Sequence, residues 1–349
     1  MPDDLIEELE YKKYMNIAIN MAKRGVGNTF PNPSVGCVIE KDGVIIGRGW
    51  TGNGGRPHAE TQAIKSVASN AEKTADIDSK QLYSTENANL YVTLEPCSHF
   101  GETPPCVNAI IDAGIKKVVI ANGDPNPKVS GKGVKILKDH DIEVIENIGY
   151  EEAGIINAAF FKSILYKIPY ITLKLALTGD GKISIAKGER SWFTNNIAKS
   201  YAHMLRYKND AILVGSGTLI ADNPSLTCRL NGLEKYSPKR FILSNKIDVI
   251  NDEFNCFPSR VVKGDIKDIV SDLTVNNGIT RLLIEGGGET AISFLDADMV
   301  DEIHLITAEK VKGDSNSTNI LESIAGYLSK YHLSEERNLG DNSLVVYKR

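Results

Sequence analysis

The chain has 349 residues, a formal net charge of -5 and 42 % hydrophobic residues. This length exceeds what one hydrophobic core usually serves, so two domains are expected, and the composition excludes a disordered or collagen-like chain. The acidic balance gives no broad positive field for nucleic acid. The start "MPDDLIEELEYKKYMN" is unlike a secretory signal, and no apolar run is long enough to span a membrane. We predict a cytoplasmic protein without nucleic-acid or membrane partners, and the sequence leaves homo-oligomerisation open.

Predicted elements alternate along the first 150 residues. Helical apolar spacing covers 11–23 and 59–69, and strand-like runs cover 34–40, 43–50, 89–94 and 116–121. A Gly/Pro-rich loop over 123–133 precedes a helix near 134–140 and a strand near 142–145. This order predicts an α/β sandwich with a mixed sheet.

The middle of the chain predicts a domain boundary. Residues 151–166 have the pattern of a connecting helix, and Pro169 opens a new β-rich series that begins "YITLKLAL". We therefore predict a first domain over 1–150, a linker over 151–168 and a second α/β domain over 169–349.

The cysteines separate into two groups. Five cysteines scattered along a long chain do not predict a disulfide framework. Cys37, Cys228 and Cys256 are expected to be buried thiols, because free cysteine is among the most buried residue types. Cys97 and Cys106 instead share a short window, "TLEPCSHFGETPPC", in which each follows a proline.

These two cysteines and a histidine predict a zinc site. Imidazole nitrogen and thiolate sulfur are the usual zinc ligands, and three protein ligands define a site with one open position. His58 in "HAE", Cys97 and Cys106 make that set. Pro57 and Pro96 are expected to place the ligands that follow them at helix N-termini.

Glu60 gives the zinc site a catalytic interpretation. A carboxylate beside zinc-activated water can accept a proton and deliver it to a leaving amine. The pattern H-x-E followed by P-C and a second cysteine is that of zinc deaminases, although the cysteines here are nine positions apart instead of three. The alternative is a structural zinc clip, for which His99 is the nearby candidate for a fourth ligand.

Several motifs together resemble one family. "PNPSVGCVI", "GGRPHAE" and "VTLEPCSHFGETPPC" resemble the deaminase half of the RibD family of bifunctional riboflavin-biosynthesis enzymes. "YITLKLALTGDGKI", "AILVGSGTLIADNPSLTCR" and "LLIEGGGETA" resemble its reductase half. The resemblance implies a cytidine deaminase-like α/β/α sandwich followed by a dihydrofolate reductase-like domain that uses NADPH. It also implies small phosphorylated ribosylaminopyrimidines as substrates, which are first deaminated and then reduced in the ribosyl group.

The resemblance also implies site residues in the deaminase half. Glu60 is the expected proton shuttle, and Asn32 is the expected contact to the pyrimidine ring. One departure stands out, because the family often has a histidine where this chain has Thr51. If that histidine holds substrate in relatives, this protein must use another group.

In the reductase half, the resemblance assigns polar catalytic work to Lys174 and Asp222. It implies further cofactor and substrate contacts at positions that match the family motifs. Those to NADPH are Ala176, Trp192, Thr218, Asp222, Gly287, Gly288, Glu289, Thr290, Ala291, Ile292 and Ser293. Those to substrate are Arg190, Arg206, Leu226, Arg229 and Glu285.

Some of these reductase assignments have alternatives. The free N–H groups of the glycine loop suit a phosphate, but the loop can also be a plain tight turn. Arg206 can be a solvated helix charge, and Asp222 can stabilise a turn. "GER" replaces the family's "GES", which weakens the assignment of Arg190.

Two other functions are compatible with parts of the sequence. One is a monofunctional zinc deaminase of nucleosides or RNA whose C-terminal domain only binds. The other is a non-catalytic interaction protein stabilised by zinc. The acidic net charge disfavours RNA as a substrate.

Overall fold

A computed structural model of the protein describes residues 3–73, 83–101, 103–127, 129–185 and 193–349. The chain divides into two compact units, of which the first ends at Tyr166 and the second begins at Lys167. Within the described ranges, no helix is both long and apolar enough to cross a membrane.

The first unit alternates helices and strands. Its elements are α1 (Asp3–Ala22), β1 (Gly36–Lys41), β2 (Val44–Trp50), α2 (Ala59–Lys73), β3 (Asn89–Leu94), α3 (Cys106–Asp112), β4 (Lys117–Asn122), α4 (Lys132–Asp139), β5 (Glu143–Glu146) and α5 (Tyr150–Tyr166). The strands form one sheet in the order β2-β1-β3-β4-β5. The pairs of β1 with β2 and β3 are antiparallel, and the remaining pairs are parallel. The predicted mixed sheet is therefore confirmed.

Two apolar layers cover the faces of this sheet. On one face, residues of α1 and α5 such as Met15 and Ala153 pack against Val38 and Val119. On the other face, α2, α3 and α4 pack against alternate residues of the same strands, among them Ile39. This is a helix–sheet–helix sandwich. It forms because the strands carry apolar side chains on both faces of the sheet, and helices on both sides are needed to bury them.

Close contact between α2 and β2 depends on glycine. A Cβ atom on Gly49 would lie 2.1 Å from the carbonyl oxygen of Ala59 and 2.6 Å from the amide nitrogen of Ala63. The backbone of α2 therefore lies directly on the strand. This contact fixes the first turn of α2, which carries the sequence-predicted residue Glu60.

The second unit contains more strands and a larger sheet. Its elements are β6 (Tyr170–Thr178), α6 (Asn196–Lys208), β7 (Ala211–Gly215), α7 (Ser216–Asp222), β8 (Lys239–Leu243), β9 (Arg260–Val262), α8 (Ile266–Val275), β10 (Arg281–Glu285), α9 (Gly288–Asp296), β11 (Glu302–Ala308), α10 (Ile320–Leu328), β12 (His332–Leu339) and β13 (Asn342–Lys348). The described strands join in the order β12-β13-β11-β6-β10-β7-β8-β9. The six strands from β11 to β9 in this order are parallel, and the β12–β13 hairpin continues the sheet antiparallel at one edge.

The predicted elements compare closely with the observed ones. The predicted strands over 89–94 and 116–121 correspond to β3 and β4, and the predicted helix over 59–69 is the first part of α2. The helix predicted over 151–166 is α5, whose last residue is also the last residue of the first unit. Helix α1 begins eight residues before the predicted start at 11, because the acidic, helix-favouring "DDLIEELE" continues it.

We predict that Gly49→Ala destabilises the first unit by about 1–3 kcal/mol, because the new methyl group pushes α2 away from β2. Urea unfolding followed by circular dichroism would measure the change. Gly154→Ala is the control: it lies in α5, and its Cβ atom would meet nothing closer than 3.8 Å. Equal stability of the two variants would contradict the close-contact interpretation.

Candidate functional site

Three metal-binding side chains converge in the first unit. The ligand atoms of His58, Cys97 and Cys106 all lie within 4.8 Å of one another. His58 Nδ1 lies 3.1 Å from Cys106 Sγ and 3.6 Å from Cys97 Sγ. Ligand atoms around a tetrahedral zinc ion with bonds of about 2.0 Å to nitrogen and 2.3 Å to sulfur are roughly 3.5 Å apart. The three side chains therefore fit one such ion and leave one corner for another ligand.

The local backbone explains this convergence. His58 immediately precedes α2, and Cys106 is the first residue of α3, after Pro105. The amide N–H of Cys106 donates a hydrogen bond to Cys97 Sγ at 3.3 Å. The expectation that Cys97 begins a helix is wrong: residues 95–98 follow β3 without regular structure, and the helix starts at the second cysteine.

The two sulfurs share negative charge. Hydrogen bonding from the Cys106 thiol, supported by His58, lowers the pKa of Cys97 to about 4 in spite of burial. The same hydrogen bond and burial raise the pKa of Cys106. Without a metal ion the pair is therefore one thiolate and one thiol. A zinc ion suits this site because it can replace the shared proton and stabilise both sulfurs as thiolates.

Glu60 lies beside these ligands. It is the second residue of α2, and its side chain is buried. Burial raises the pKa of Glu60, and the negative charge of Cys97 raises it further. A carboxylate with a raised pKa accepts a proton more readily, which suits the role predicted for it. His99 is exposed and does not belong to the converging group, so the described residues give no support for a four-ligand clip.

Asn32 packs on the turn that leads into the metal ligands. Its Nδ2 donates a hydrogen bond to the carbonyl oxygen of Gly54 at 3.3 Å. A Cβ atom on Gly55 would lie 2.1 Å from the same Nδ2, and Gly55 has a φ of 90°. Glycine is therefore required at Gly55 for both space and conformation. Asn32 is exposed and is thus accessible to a ligand.

Thr51 has a different environment from Asn32. It is buried, and its Oγ1 accepts a hydrogen bond from the amide of Val35 at 2.8 Å. Its own amide donates to the carbonyl oxygen of Val35 at 2.9 Å. Thr51 thus ties the start of β1 to the end of β2 and does not point outward.

Sequence reasoning missed Glu95. This buried carboxylate accepts hydrogen bonds from four amides at 2.9–3.4 Å, those of Asp124 and Gly131 in the following loop and those of Gly133 and Val134 in the first turn of α4. Glu95 therefore anchors the Gly/Pro-rich loop beside Cys97. The available signal was the acid in "EPC" followed by a glycine-rich loop with many free amides.

In the second unit, three sequence-predicted residues form a buried charge network. Glu285 accepts two hydrogen bonds from Arg206, from Nε at 2.8 Å and from Nη2 at 2.9 Å. Lys174 Nζ lies 3.3 Å from Glu285 Oε2, and the two residues are register partners on β6 and β10. The Arg206 side chain is only 12 % exposed, so the alternative of a solvated helix charge is wrong.

The charges in this network are strongly coupled. Burial alone would raise the pKa of Glu285, but the positive charges of Arg206 and Lys174 outweigh it and hold the pKa well below its usual range. Glu285 is therefore ionised at neutral pH and orients two cations. Because Lys174 and Ala176 are two residues apart on β6, they lie on the same face of the sheet.

His203 is a further residue that sequence reasoning missed. It lies one turn before Arg206 on α6, and its Nδ1 is 3.1 Å from the carbonyl oxygen of Thr227. Burial and the charges of Arg206 and Arg229 lower the pKa of His203 to about 4. His203 is thus a neutral imidazole at neutral pH, and the i, i+3 spacing to Arg206 was the available signal.

Leu226 and Arg229 lie on either side of Thr227, but their side chains differ in burial. The Leu226 side chain is buried in the core, while its backbone has a φ of 55°, a conformation that is uncommon for a non-glycine residue. Arg229 is exposed. If both contact substrate, Leu226 does so through its main chain and Arg229 through its charge.

The glycine loop and Thr218 come together. The amide of Gly287 donates a hydrogen bond to Thr218 Oγ1 at 3.0 Å, and a Cβ atom on Gly286 would lie 2.7 Å from that oxygen. Gly287 caps α9, which begins at Gly288. This arrangement lets a ligand approach the backbone closely and fits the phosphates of a dinucleotide.

The other predicted cofactor residues have varied surroundings. Thr290 and Ala291 are buried, Glu289 and Ser293 are exposed, and Ile292 is half-buried. Asp222 is the half-buried last residue of α7. Arg190 and Trp192 lie outside the described residues.

We predict that Cys106→Ser lowers the zinc content of the purified protein to a small fraction of one ion per chain, because a hydroxyl is a much poorer zinc ligand than a thiolate. Cys256→Ser is the control, since Cys256 lies in the second unit and its Sγ already faces Ser259 Oγ at 3.5 Å. Elemental analysis after dialysis would measure both. Full zinc occupancy in Cys106→Ser would contradict the proposed ligand set.

We predict that Glu285→Gln destabilises the second unit by about 3–5 kcal/mol at neutral pH, because Arg206 and Lys174 lose their buried countercharge. The folded pKa of Glu285 lies below its unfolded value of 4.5, so this stabilisation is present above pH 4.5 and is lost as the pH falls. Urea unfolding at several pH values would follow the difference from wild type. The control Asp248→Asn removes an exposed ion pair with Lys263 and should cost less than about 1 kcal/mol. A loss of stability in Glu285→Gln that stays the same at every pH would contradict the stabilising role of the Glu285 charge.

Comparisons with known proteins agree with this geometry. Residues 9–122 match the cytidine and deoxycytidylate deaminase zinc-binding region, and residues 169–333 match the RibD C-terminal domain. The riboflavin biosynthesis protein RibD of Aquifex aeolicus is 38 % identical over 373 aligned positions, which cover 99 % of this chain and 100 % of that protein.

Two solved structures are similar over nearly the whole chain. RibD of Acinetobacter baumannii has a TM-score of 0.84 and 31 % identity, and the match covers 98 % of this chain and 99 % of that one. A diaminohydroxyphosphoribosylaminopyrimidine deaminase/5-amino-6-(5-phosphoribosylamino)uracil reductase of Thermotoga maritima has a TM-score of 0.83 and 34 % identity, with the same coverage. These matches confirm the predicted pairing of a cytidine deaminase-like sandwich with a reductase-type α/β domain, and the chain belongs to the RibD family of riboflavin biosynthesis proteins.

Proposed function

We propose that this chain catalyses two consecutive steps of riboflavin biosynthesis on small phosphorylated pyrimidines. The first unit deaminates 2,5-diamino-6-(5-phosphoribosylamino)pyrimidin-4(3H)-one with zinc. The second unit uses NADPH to reduce the ribosyl side chain of 5-amino-6-(5-phosphoribosylamino)uracil to ribityl. The observation that carries the proposal is the convergence of His58, Cys97 and Cys106 next to the buried carboxylate of Glu60.

In the deaminase unit, the proposed mechanism depends on one proton acceptor. His58, Cys97 and Cys106 would hold the zinc ion, which would supply the Lewis acidity that activates water. Glu60 would take a proton from the water whose oxygen bonds to the ring carbon, and it would deliver that proton to the ring amine. The C–N bond then breaks, ammonia leaves, and the oxygen from water remains as the ring carbonyl. Burial favours this role, because it raises the pKa of Glu60 and lets the carboxyl hold the proton between the two transfers. Asn32 orients the pyrimidine at the mouth of the site.

In the reductase unit, Lys174 is the proposed proton donor. When bound, NADPH would supply a hydride to C1 of the ribosyl group, which is opened as an imine or an equivalent group. As the C–H bond forms, the C=N π bond of the imine breaks and its electron pair moves to nitrogen, which a proton from the Lys174 ammonium would neutralise. Glu285 and Arg206 fix the position of that ammonium through the short contacts of the charge network. Thr218 and the loop at Gly287 are proposed to hold the phosphates of NADPH.

A monofunctional deaminase with a purely binding C-terminal domain is not favoured. The match to the RibD C-terminal domain and the buried network around Glu285 both support a second catalytic unit. A cytoplasmic location and the absence of nucleic-acid partners are part of the proposal. They are supported by five free thiols, which fit a reducing compartment, and by the net charge of -5.

We predict that Glu60→Gln reduces ammonia release by about 10²–10⁴-fold, because the proton can no longer be shuttled. NADPH oxidation with the deaminated substrate should be unchanged, and zinc should be retained. Lys174→Met should give the reverse pattern, with normal ammonia release and slow NADPH oxidation. Parallel assays of ammonia and nicotinamide absorbance would measure both steps.

Glu72→Gln is the matched control for Glu60→Gln, because Glu72 lies on the same helix but is exposed. It should leave both activities unchanged. Full ammonia release by Glu60→Gln with bound zinc would exclude the proposed shuttle and favour a structural zinc site.

A further inference from the structure

Arg56 occupies the turn that connects the predicted pyrimidine contact with the metal ligands. It follows the Gly54–Gly55 turn on which Asn32 packs, and it precedes His58 by two residues. Its side chain is partly buried rather than fully extended into solvent. Arg56 is therefore held at the edge of the deaminase site.

The guanidinium of Arg56 reaches the second loop of this site. Its Nη2 lies 3.8 Å from the point at which a Cβ atom on Gly101 would stand. Gly101 belongs to the loop between Cys97 and Cys106, so the Arg56 side chain reaches from the segment that carries His58 to the segment that carries the two cysteines.

The phosphate of the proposed substrate favours a cation close to the deaminase site. A phosphate monoester carries close to two negative charges at neutral pH. The groups around the metal ligands are largely acidic: Glu60 and Asp124 both interact electrostatically with Cys97, and Asp124 interacts also with Glu95. A dianion entering such an environment needs a positive partner.

Thr51 cannot fill this role. It stands where the family often has a histidine, but its hydroxyl is buried and bonded to the backbone of Val35. Arg56 lies five residues later, at the far end of the same turn. Its planar fork can donate two parallel hydrogen bonds to phosphate oxygens, and it stays charged at every physiological pH.

We propose that Arg56 binds the 5'-phosphate of the deaminase substrate and sets the preference of this site for the phosphorylated compound over its dephosphorylated ribosyl form. The inference rests on the proposed deaminase function and extends it to substrate selection.

The test compares ammonia release from the phosphorylated substrate and from the same compound after phosphatase treatment. We expect Arg56→Gln to lower kcat/KM for the phosphorylated compound roughly 10- to 100-fold, mainly through KM, because a charged hydrogen-bonded contact is lost. The value for the dephosphorylated compound should not change. Arg56→Lys should recover part of the loss, since it keeps the positive charge but not the planar guanidinium that donates two parallel hydrogen bonds.

Arg48→Gln is the matched control, because Arg48 is exposed on β2 and its replacement changes the net charge equally. It should leave both kcat/KM values unchanged. Zinc content and NADPH oxidation on deaminated substrate are measured for every variant to establish that it is folded.

An equal loss for both compounds in Arg56→Gln would assign Arg56 a structural role and overturn the inference, as would the absence of any loss. Absence of ammonia release from both compounds in zinc-loaded wild-type protein would overturn the proposed deaminase function itself. The two failures are therefore distinguishable.

Discussion

The deaminase site depends on the direct contact of one helix backbone with one strand. Helix α2 lies on β2 where Gly47 and Gly49 have no side chains to separate them. This contact fixes the point at which the chain leaves the turn, and therefore the positions of His58 and Glu60. A metal site with two more ligands from a separate loop tolerates little displacement, because ligand bonds of about 2.0–2.3 Å define its geometry.

The two units handle buried charge in opposite ways. Around Cys97 and Cys106, negative charge accumulates on two adjacent sulfurs, which makes the site suitable for a metal cation. Around Glu285, the countercharges are part of the chain, and a bidentate arginine and a lysine neutralise the carboxylate. The first arrangement is completed by an ion, whereas the second is preorganised in the folded chain. Preorganised dipoles and charges favour a reaction that shifts charge in a dry site.

The sequence predicted the deaminase unit in detail for physical reasons. Zinc ligands are few in kind, so His58, Cys97 and Cys106 can be recognised from residue type and spacing. The strands around them are apolar runs bounded by turn residues, which is a strong signal. The expectation for Cys97 failed because Pro96 does not start a helix when a loop with Gly101 and two more prolines follows.

Other features could not be read from residue types. Glu95 binds four backbone amides, and amides are the same at every position, so the acid and the glycine-rich loop signal an anchor without marking which amides it binds. The burial of Arg206 depends on which face of α6 meets the sheet, and its partner Glu285 is 79 residues away along the chain. Thr51 differs from the family histidine in the sequence, but only the structure places its hydroxyl against Val35.

The anchoring of the loop by Glu95 has a consequence for the durability of the metal centre. Glu95 is separated from Cys97 by one residue, and it binds amides as far along the chain as Val134. Opening of that loop therefore releases the segment that carries a zinc ligand, and departure of the ion loosens the same segment. Slow hydrogen exchange of the Gly131 and Gly133 amides and slow release of the ion would both report the same cooperative local unfolding.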